Sequence, residues 1–343
     1  MLLKLHLVLA LASSVVVLTL GLTGAVMAFE PEIQHWQHRT LLDVTPGGTP
    51  HALIDVSETL MRAFPAERVK SYWVPESPTR SVGAVMDRGT VYVNPYTLQI
   101  LGTIPPGQDW LARVHQLHLR FVSPIGQVLV RITGVVMIAL TVSGLYLWMP
   151  SRRTRITSGA RGFRLWFDWH AVIGVYSAAF LLVLSLTGTF ITFDGVTVPL
   201  AYRLTGSTPA PAWSPRQPAL AGAHQLLPDR ALEIAREAVP GASAFHITMP
   251  TPTEAFIVRL RFPEDRTPGG RSRVMLNSYT GQVMQIENSR TAPGGRRIEN
   301  LNRAIHTGDI FGLVSKTAMA LGSLMAPLQL LTGVMMWRRR KRA

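Results

Sequence analysis

The sequence predicts a membrane protein: a bundle of four transmembrane helices with two exterior α+β modules, the whole built from one unit used twice. Three observations carry this. Residues 5–29, 132–150, 171–193 and 317–337 hold no charged side chain apart from the His6 position. Each run is near or above the roughly 20 residues a helix needs to cross the hydrocarbon. The basic residues crowd beside those runs. Finally, the chain matches itself when shifted.

The predicted order is a first helix (1–29), a first module (30–115) and a second helix (116–150). A basic loop (151–168), a third helix (169–194), a second module (195–305), a fourth helix (306–337) and a basic tail (338–343) follow. Residues 25–28, Ala-Val-Met-Ala, are small enough to suggest a cleaved leader. The apolar run before them is too long and only Lys4 precedes it, so the first helix is expected to be retained.

The net charge of +14 at first suggests nucleic acid. Its placement excludes that partner. Arg152, Arg153, Arg155, Arg161 and Arg164 lie between the second and third runs, and Arg338, Arg339, Arg340, Lys341 and Arg342 follow the fourth. Short basic segments beside apolar spans mark the cytoplasmic side, so both termini and the middle loop are expected inside and the two long connections outside. Trp148 and Trp337, just before the arginines, suit the lipid headgroup level. The chain has no cysteine, which removes disulfides, thiolate-bound iron–sulfur clusters and covalent haem attachment.

Two repeats organise the spans. Shifted by 164 residues, His6 falls on His170 and Leu22-Thr23-Gly24 on Leu186-Thr187-Gly188. The 18 positions from each histidine to its Gly cover about 27 Å of helix, placing the two ends near opposite faces. In the same way, residues 117–153 match 305–340, aligning His118 with His306, Gly126 with Gly312, Gly144 with Gly333 and Trp148 with Trp337. The exterior segments repeat as well. Each reads as an amphipathic helix (54–64 and 231–239, the latter with Asp229 as N-cap) followed by short strands and an Asn-x-Tyr-Thr turn, at Asn94 and at Asn277. Residues 205–218, dense in Pro, Ser and Ala, read as a linker.

Four histidines at symmetry-related helix mouths point to chemistry, since ionisable groups at membrane depth mark function. A b-type haem takes two imidazoles on opposite faces, and facing helices of a bundle supply one each. The expected axial pairs are His6 with His170 and His118 with His306, holding two b haems. Zinc fits less well because it needs three or four clustered ligands. His115, three residues before His118, either replaces it or flanks the haem edge. Arg131 and Lys316, cations inside otherwise apolar helices, either pair with haem propionates or snorkel to an interface. Arg113, Arg120 and Arg303 near the outer histidines and the matched acids Glu30 and Asp194 read equally well as solvated residues. His35, His38, His51, His224 and His246 lack metal-ligand spacing. Gly134, Gly144, Gly188, Gly322 and Gly333 allow close helix or macrocycle approach, and Pro327 is expected to kink the fourth helix.

The paired Asn-x-Tyr-Thr-x-Gln turns, the His-to-Leu-Thr-Gly helices and the Gly-x-x-x-Trp exits resemble the PepSY-associated transmembrane family, over nearly the whole chain. That resemblance implies PepSY-like periplasmic modules on a bacterial inner-membrane protein. It also implies a haem-dependent reductase of a ferric siderophore or another periplasmic acceptor, supporting iron uptake. The donor is either a cytoplasmic reductase or membrane quinol. Without a GxGxxG motif the chain is not expected to take hydride itself. A second class of function is a binding or regulatory membrane protein with a peptide or protease partner and no redox role. A carrier of iron chelate is weaker, because carriers typically use inverted repeats.

Overall fold

The computed structural model describes residues 1–220 and 222–340; Lys341 and Arg342 of the basic tail lie outside them. In chain order the helices are α1 (Leu2–Ala12), α2 (Ser14–Met27), α3 (Glu30–Leu42), α4 (Leu53–Ala63), α5 (Trp110–Arg120), α6 (Pro124–Trp148), α7 (Gly162–Thr192), α8 (Asp194–Leu204), α9 (Pro228–Ala238), α10 (Gly294–Thr307) and α11 (Leu313–Arg340). The strands are β1 (Ser71–Trp73), β2 (Val82–Met86), β3 (Gly89–Val93), β4 (Ile100–Ile104), β5 (Ser243–Thr248), β6 (Phe256–Arg261), β7 (Ser272–Leu276) and β8 (Val283–Glu287). These elements form two compact units. One contains Met1–Glu30, Leu111–Gly206 and the chain from Ile298 onward; the other contains Pro31–Trp110 and Ser207–Arg297.

In the helical unit, α6, α7 and α11 are long and apolar enough to cross a membrane. The first predicted span differs from a single rod: α1 and α2 meet at a 63° bend and supply a fourth crossing only if the pair counts as one. Ser13 sits at the break, its hydroxyl donating 2.8 Å to the carbonyl of Leu9, and Ser14 follows it. Serine pairs and side chains that intrude on the backbone ladder are known causes of such bends.

The predicted second and fourth helices are also shortened. Phe121 and Val122 adopt positive φ, Ser123 caps the next helix by accepting from the Gly126 amide, and Pro124 occupies its first turn. That sequence ends α5 and starts α6 afresh. Gly308 and Gly312, at φ 79° and 62°, make the same division between α10 and α11. His118 and His306 therefore ride on separate amphipathic helices ahead of the spans. The third helix starts earlier than expected, at Gly162. Its first turns gather the basic loop: Arg153 and Arg164 each lie 3.2 Å from the buried Asp168, which also accepts from the Thr157 amide. Pro327 lies within α11, against Gly21 of α2.

In the second unit the two expected modules are joined. All strands belong to one antiparallel sheet in the order β4-β3-β2-β1-β5-β6-β7-β8. The seam is β1 against β5, with Ser71 opposite Thr248, Tyr72 opposite Ile247 and Trp73 opposite His246. Alone, each four-stranded half would leave an open row of backbone donors and acceptors at this edge. Joined, the halves share one core, in which Val56 and Leu60 of α4 and Ala231 and Ala235 of α9 pack with Tyr72, Ile247, Phe256 and Val258.

The two Asn-x-Tyr-Thr turns share most of their hydrogen bonds. Asn94 and Asn277 donate their amides to Gln99 and Gln282 carbonyls, and their side chains accept from the Tyr96 and Tyr279 amides. The tyrosine hydroxyls donate to the carbonyls of Pro78 and Pro252. Leu98 (φ 58°) occupies the left-handed position that Gly281 (φ 73°) fills in the other turn.

Asp229 is not the cap of its own helix. It lies in the first turn of α9, and its carboxylate accepts from the amides of Leu53 (2.8 Å) and Ile54 (3.0 Å), the donors that open α4. One half of the sheet unit thus caps the helix of the other. Asp229→Ala is expected to cost about 1–2 kcal/mol, read as a lower denaturation midpoint and faster hydrogen exchange at Leu53 and Ile54.

His246 offers a pH test at the seam. Its ring packs edge-on against Trp73 at 4.7 Å, Nδ1 is buried without a hydrogen-bond partner among the described residues, and Arg259 stands opposite on β6. Burial, then the Arg259 charge, lowers its pKa to about 4. The unfolded imidazole binds a proton below about 6.5 while the folded one stays neutral, so stability is present above that pH and is lost as pH falls toward 4. Urea midpoints should fall over this range, and His246→Phe should make the fall smaller; equal slopes would contradict the assignment.

Candidate functional site

The four histidines picked out by the repeats come together as two pairs within the helical unit. His6 of α1 and His170 of α7 have ring centroids 6.5 Å apart with planes at 89°; His118 of α5 and His306 of α10 are also 6.5 Å apart, at 53°. Each pair thus joins a histidine from one half of the chain to one from the other.

Every ring is held in the same way. Nδ1 of His6 lies 2.8 Å from Oγ of Ser143 on α6, and Nδ1 of His170 lies 2.9 Å from Oγ1 of Thr332 on α11. Nδ1 of His118 lies 2.9 Å from Oγ1 of Thr23 on α2, and Nδ1 of His306 lies 2.9 Å from Oγ1 of Thr187 on α7. The residue after each hydroxyl is glycine. A methyl group added at Gly144 or Gly333 would lie 3.4 Å from Cε1 of His6 or His170; at Gly24 and Gly188 the distances to His118 and His306 are 3.3 and 3.0 Å. The hydroxyl therefore anchors the ring, and the missing side chain one position later gives it a seat. Nε2 is left as the ring nitrogen directed to other business.

Further contacts fix the supporting backbone. Asn302 of α10 donates to the Thr187 carbonyl, and Gln329 of α11 donates to the carbonyl of His170. Outside the spans, burial lowers the pKa of both outer histidines; the charge of His306, then of His115, adds to the effect at His118, and that of Arg303 at His306.

Around His6 and His170 opens an apolar cavity of about 330 Å³, whose walls include Leu140, Trp148, Phe163, Phe167, Met336 and Trp337. Its size falls in the usual range for a site that takes an organic group. No cluster of three or more His, Cys, Asp and Glu occurs among the described residues. The arrangement supplies nitrogen donors in twos, not a closed four-ligand cage.

The remaining expected site residues fall elsewhere. Nδ1 of His115 lies 3.2 Å from the carboxylate of Glu30, so the outer partner of His306 is His118. Lys316 is buried 3.4 Å from Asp309, whose carboxylate also accepts from Thr307. Arg131 lies on α6 with Nε buried and without a hydrogen-bond partner among the described residues. Asp194 accepts from the Gly195 amide at the start of α8. His35 pairs with Asp43 and His51 with Asp55 in the sheet unit.

From sequence, Thr23 and Thr187 stand out only as part of the Leu-Thr-Gly repeat, and Ser143 and Thr332 do not stand out. Their signal is a Ser/Thr-Gly dipeptide, at 23–24, 143–144, 187–188 and 332–333, although the same dipeptide also occurs at 133–134 and 307–308 within the predicted spans.

Compared with known families, residues 3–340 match the model of the PepSY-associated TM region. No curated protein matches the chain. The chain belongs to the PepSY-associated TM family, and its membrane character follows from that membership together with its apolar helices.

Proposed function

We propose, with membership of this membrane family as the premise, that the chain is a di-haem b reductase of the bacterial inner membrane. It passes electrons from a cytoplasmic reductase or quinol to a periplasmic ferric chelate of the siderophore class. In this reading α1 and α2 together form the fourth span, the chain is two copies of one unit, both termini are cytoplasmic and the sheet unit is periplasmic.

The observation that carries the reading is the 6.5 Å spacing found in both imidazole pairs. With metal–imidazole bonds of about 2 Å and each nitrogen about 1 Å from its ring centre, two axial rings on one iron stand roughly 6 Å apart. The residues present fit the group in other respects. Nδ1 of each ring is occupied by a hydroxyl, which leaves Nε2 for the metal. Glycine seats and an apolar cavity suit a flat macrocycle.

Two b haems, when bound, supply one-electron redox centres, one at each histidine pair. One electron at a time suits the step from Fe(III) to Fe(II), which weakens a hard-oxygen chelate by lowering the metal charge. The protein's part is to hold and shield. His6 with His170 and His118 with His306 would hold the two haem irons through their imidazole nitrogens. Trp148, Phe163, Phe167 and Trp337 keep the inner cavity dry. The family supplies the ferric acceptor in this proposal, and no other residue pattern is used for it.

Haem quantitation on alanine variants tests the reading. His6→Ala and His170→Ala should each lose the same haem, His118→Ala and His306→Ala the other, and His115→Ala should keep both. A wild-type protein produced with haem available that shows no dithionite-responsive Soret and α bands would overturn it.

A further inference from the structure

The hydroxyls beside the four histidines have their own protons already placed. Thr23 Oγ1 lies 2.6 Å from the Thr19 carbonyl and Thr187 Oγ1 lies 2.6 Å from the Val183 carbonyl. Thr332 Oγ1 is 3.0 Å from the carbonyls of both Leu328 and Gln329, and Ser143 Oγ is 3.2 Å from that of Leu140. A carbonyl only accepts, and a hydroxyl owns one proton. That proton therefore points back along its own helix, and toward the histidine the hydroxyl presents a lone pair.

The contact at 2.8 to 2.9 Å then requires a proton on the imidazole nitrogen that faces it. A neutral imidazole carries one N–H. If Nδ1 holds it, Nε2 has a bare lone pair. From this we infer that Thr23, Ser143, Thr187 and Thr332 are positioning residues that lock their histidines as the Nδ1–H tautomer, with Nε2 ready to ligate. The inference rests on the di-haem reading for its consequence but not for its geometry.

That consequence is a control on redox poise. Metal-bound histidines donate their second N–H to an outer acceptor, which fixes the ring and raises ligand basicity. A more basic ligand favours the ferric state, so each hydroxyl holds down the potential of its haem. The four anchors differ. Each threonine has a back-bond of 3.0 Å or shorter, whereas the back-bond of Ser143 is 3.2 Å. His6 is thus the least firmly set of the four rings, and its haem is the one whose ligation the anchor controls least.

The glycine after each hydroxyl lets the ring lie close, most tightly at Gly188, where a side chain would stand 3.0 Å from His306 Cε1 and the ring would have to give by a few tenths of an ångström. Hydroxyl and glycine act as a two-residue device, and its recurrence in four helices is hard to assign to packing alone.

The test uses the full chain with Thr23→Val, Thr187→Val, Thr332→Val and Ser143→Ala, and with Thr→Ser at the first three sites as conservative controls. In protein without haem, ¹⁵N spectra should show Nδ1 protonated at all four rings, with each Val or Ala variant releasing only its own partner. In protein with haem, each Val variant should raise one midpoint potential and leave the other unchanged. It should also speed transfer of that haem to an apo-globin acceptor by about 10- to 100-fold, while the Ser variants stay near wild type and Ser143→Ala has the smallest effect. Nε2-protonated rings in the wild type, or Val variants with unaltered potentials and transfer rates, would overturn the inference. Nδ1-protonated rings in a protein that takes up no haem would support the tautomer assignment and defeat the di-haem reading instead.

Discussion

The helical unit depends on one contact made four times: an imidazole laid on the glycine of a neighbouring helix and tied by Nδ1 to the hydroxyl just before it. A polar ring buried among apolar side chains costs free energy unless its donor and acceptor are met. Here a hydroxyl on a neighbouring helix meets Nδ1 of each ring.

The same constraint explains the helix breaks. A histidine must reach sideways from one helix into another, and a straight rod through residues 116–150 would carry His118 along the axis of its span. The turn at Phe121–Ser123 and the glycine turn at Gly308–Gly312 set α5 and α10 off from the helices that follow. In the sheet unit a different requirement governs. Two half-sheets, each too small for a large core, pair β1 with β5 and place both helices against one set of buried strands. Asp229 ties the halves again by capping α4 from α9.

Much of this was legible in the sequence for identifiable reasons. Apolar runs gave the long helices because composition alone decides them, and the 164-residue shift singled out His6 and His170. The repeated Asn-x-Tyr-Thr motif marked turns whose hydrogen bonds proved the same in both copies. What could not be read was relational. Pairing of β1 with β5 joins segments about 170 residues apart with no local signature of their register. Positive φ at Phe121 and Val122 is invisible because neither residue type favours it. Lys316 suggested an outside partner until Asp309, seven residues earlier, proved to be its counter-charge. The Ser/Thr-Gly steps were visible but looked ordinary, since one threonine in an apolar helix says little and only the fourfold recurrence beside glycine carries meaning.

The central claim is that the two imidazole pairs are axial ligand pairs, and the ring planes distinguish them. Low-temperature electron paramagnetic resonance of the oxidised, haem-loaded protein reads this directly, because ligand-plane angle shapes the spectrum of low-spin ferric haem. The planes at 89° for His6 and His170 and at 53° for His118 and His306 predict two low-spin species, with the more anisotropic one lost in His170→Ala. A single high-spin signal, or a low-spin spectrum unchanged by that substitution, would contradict the account.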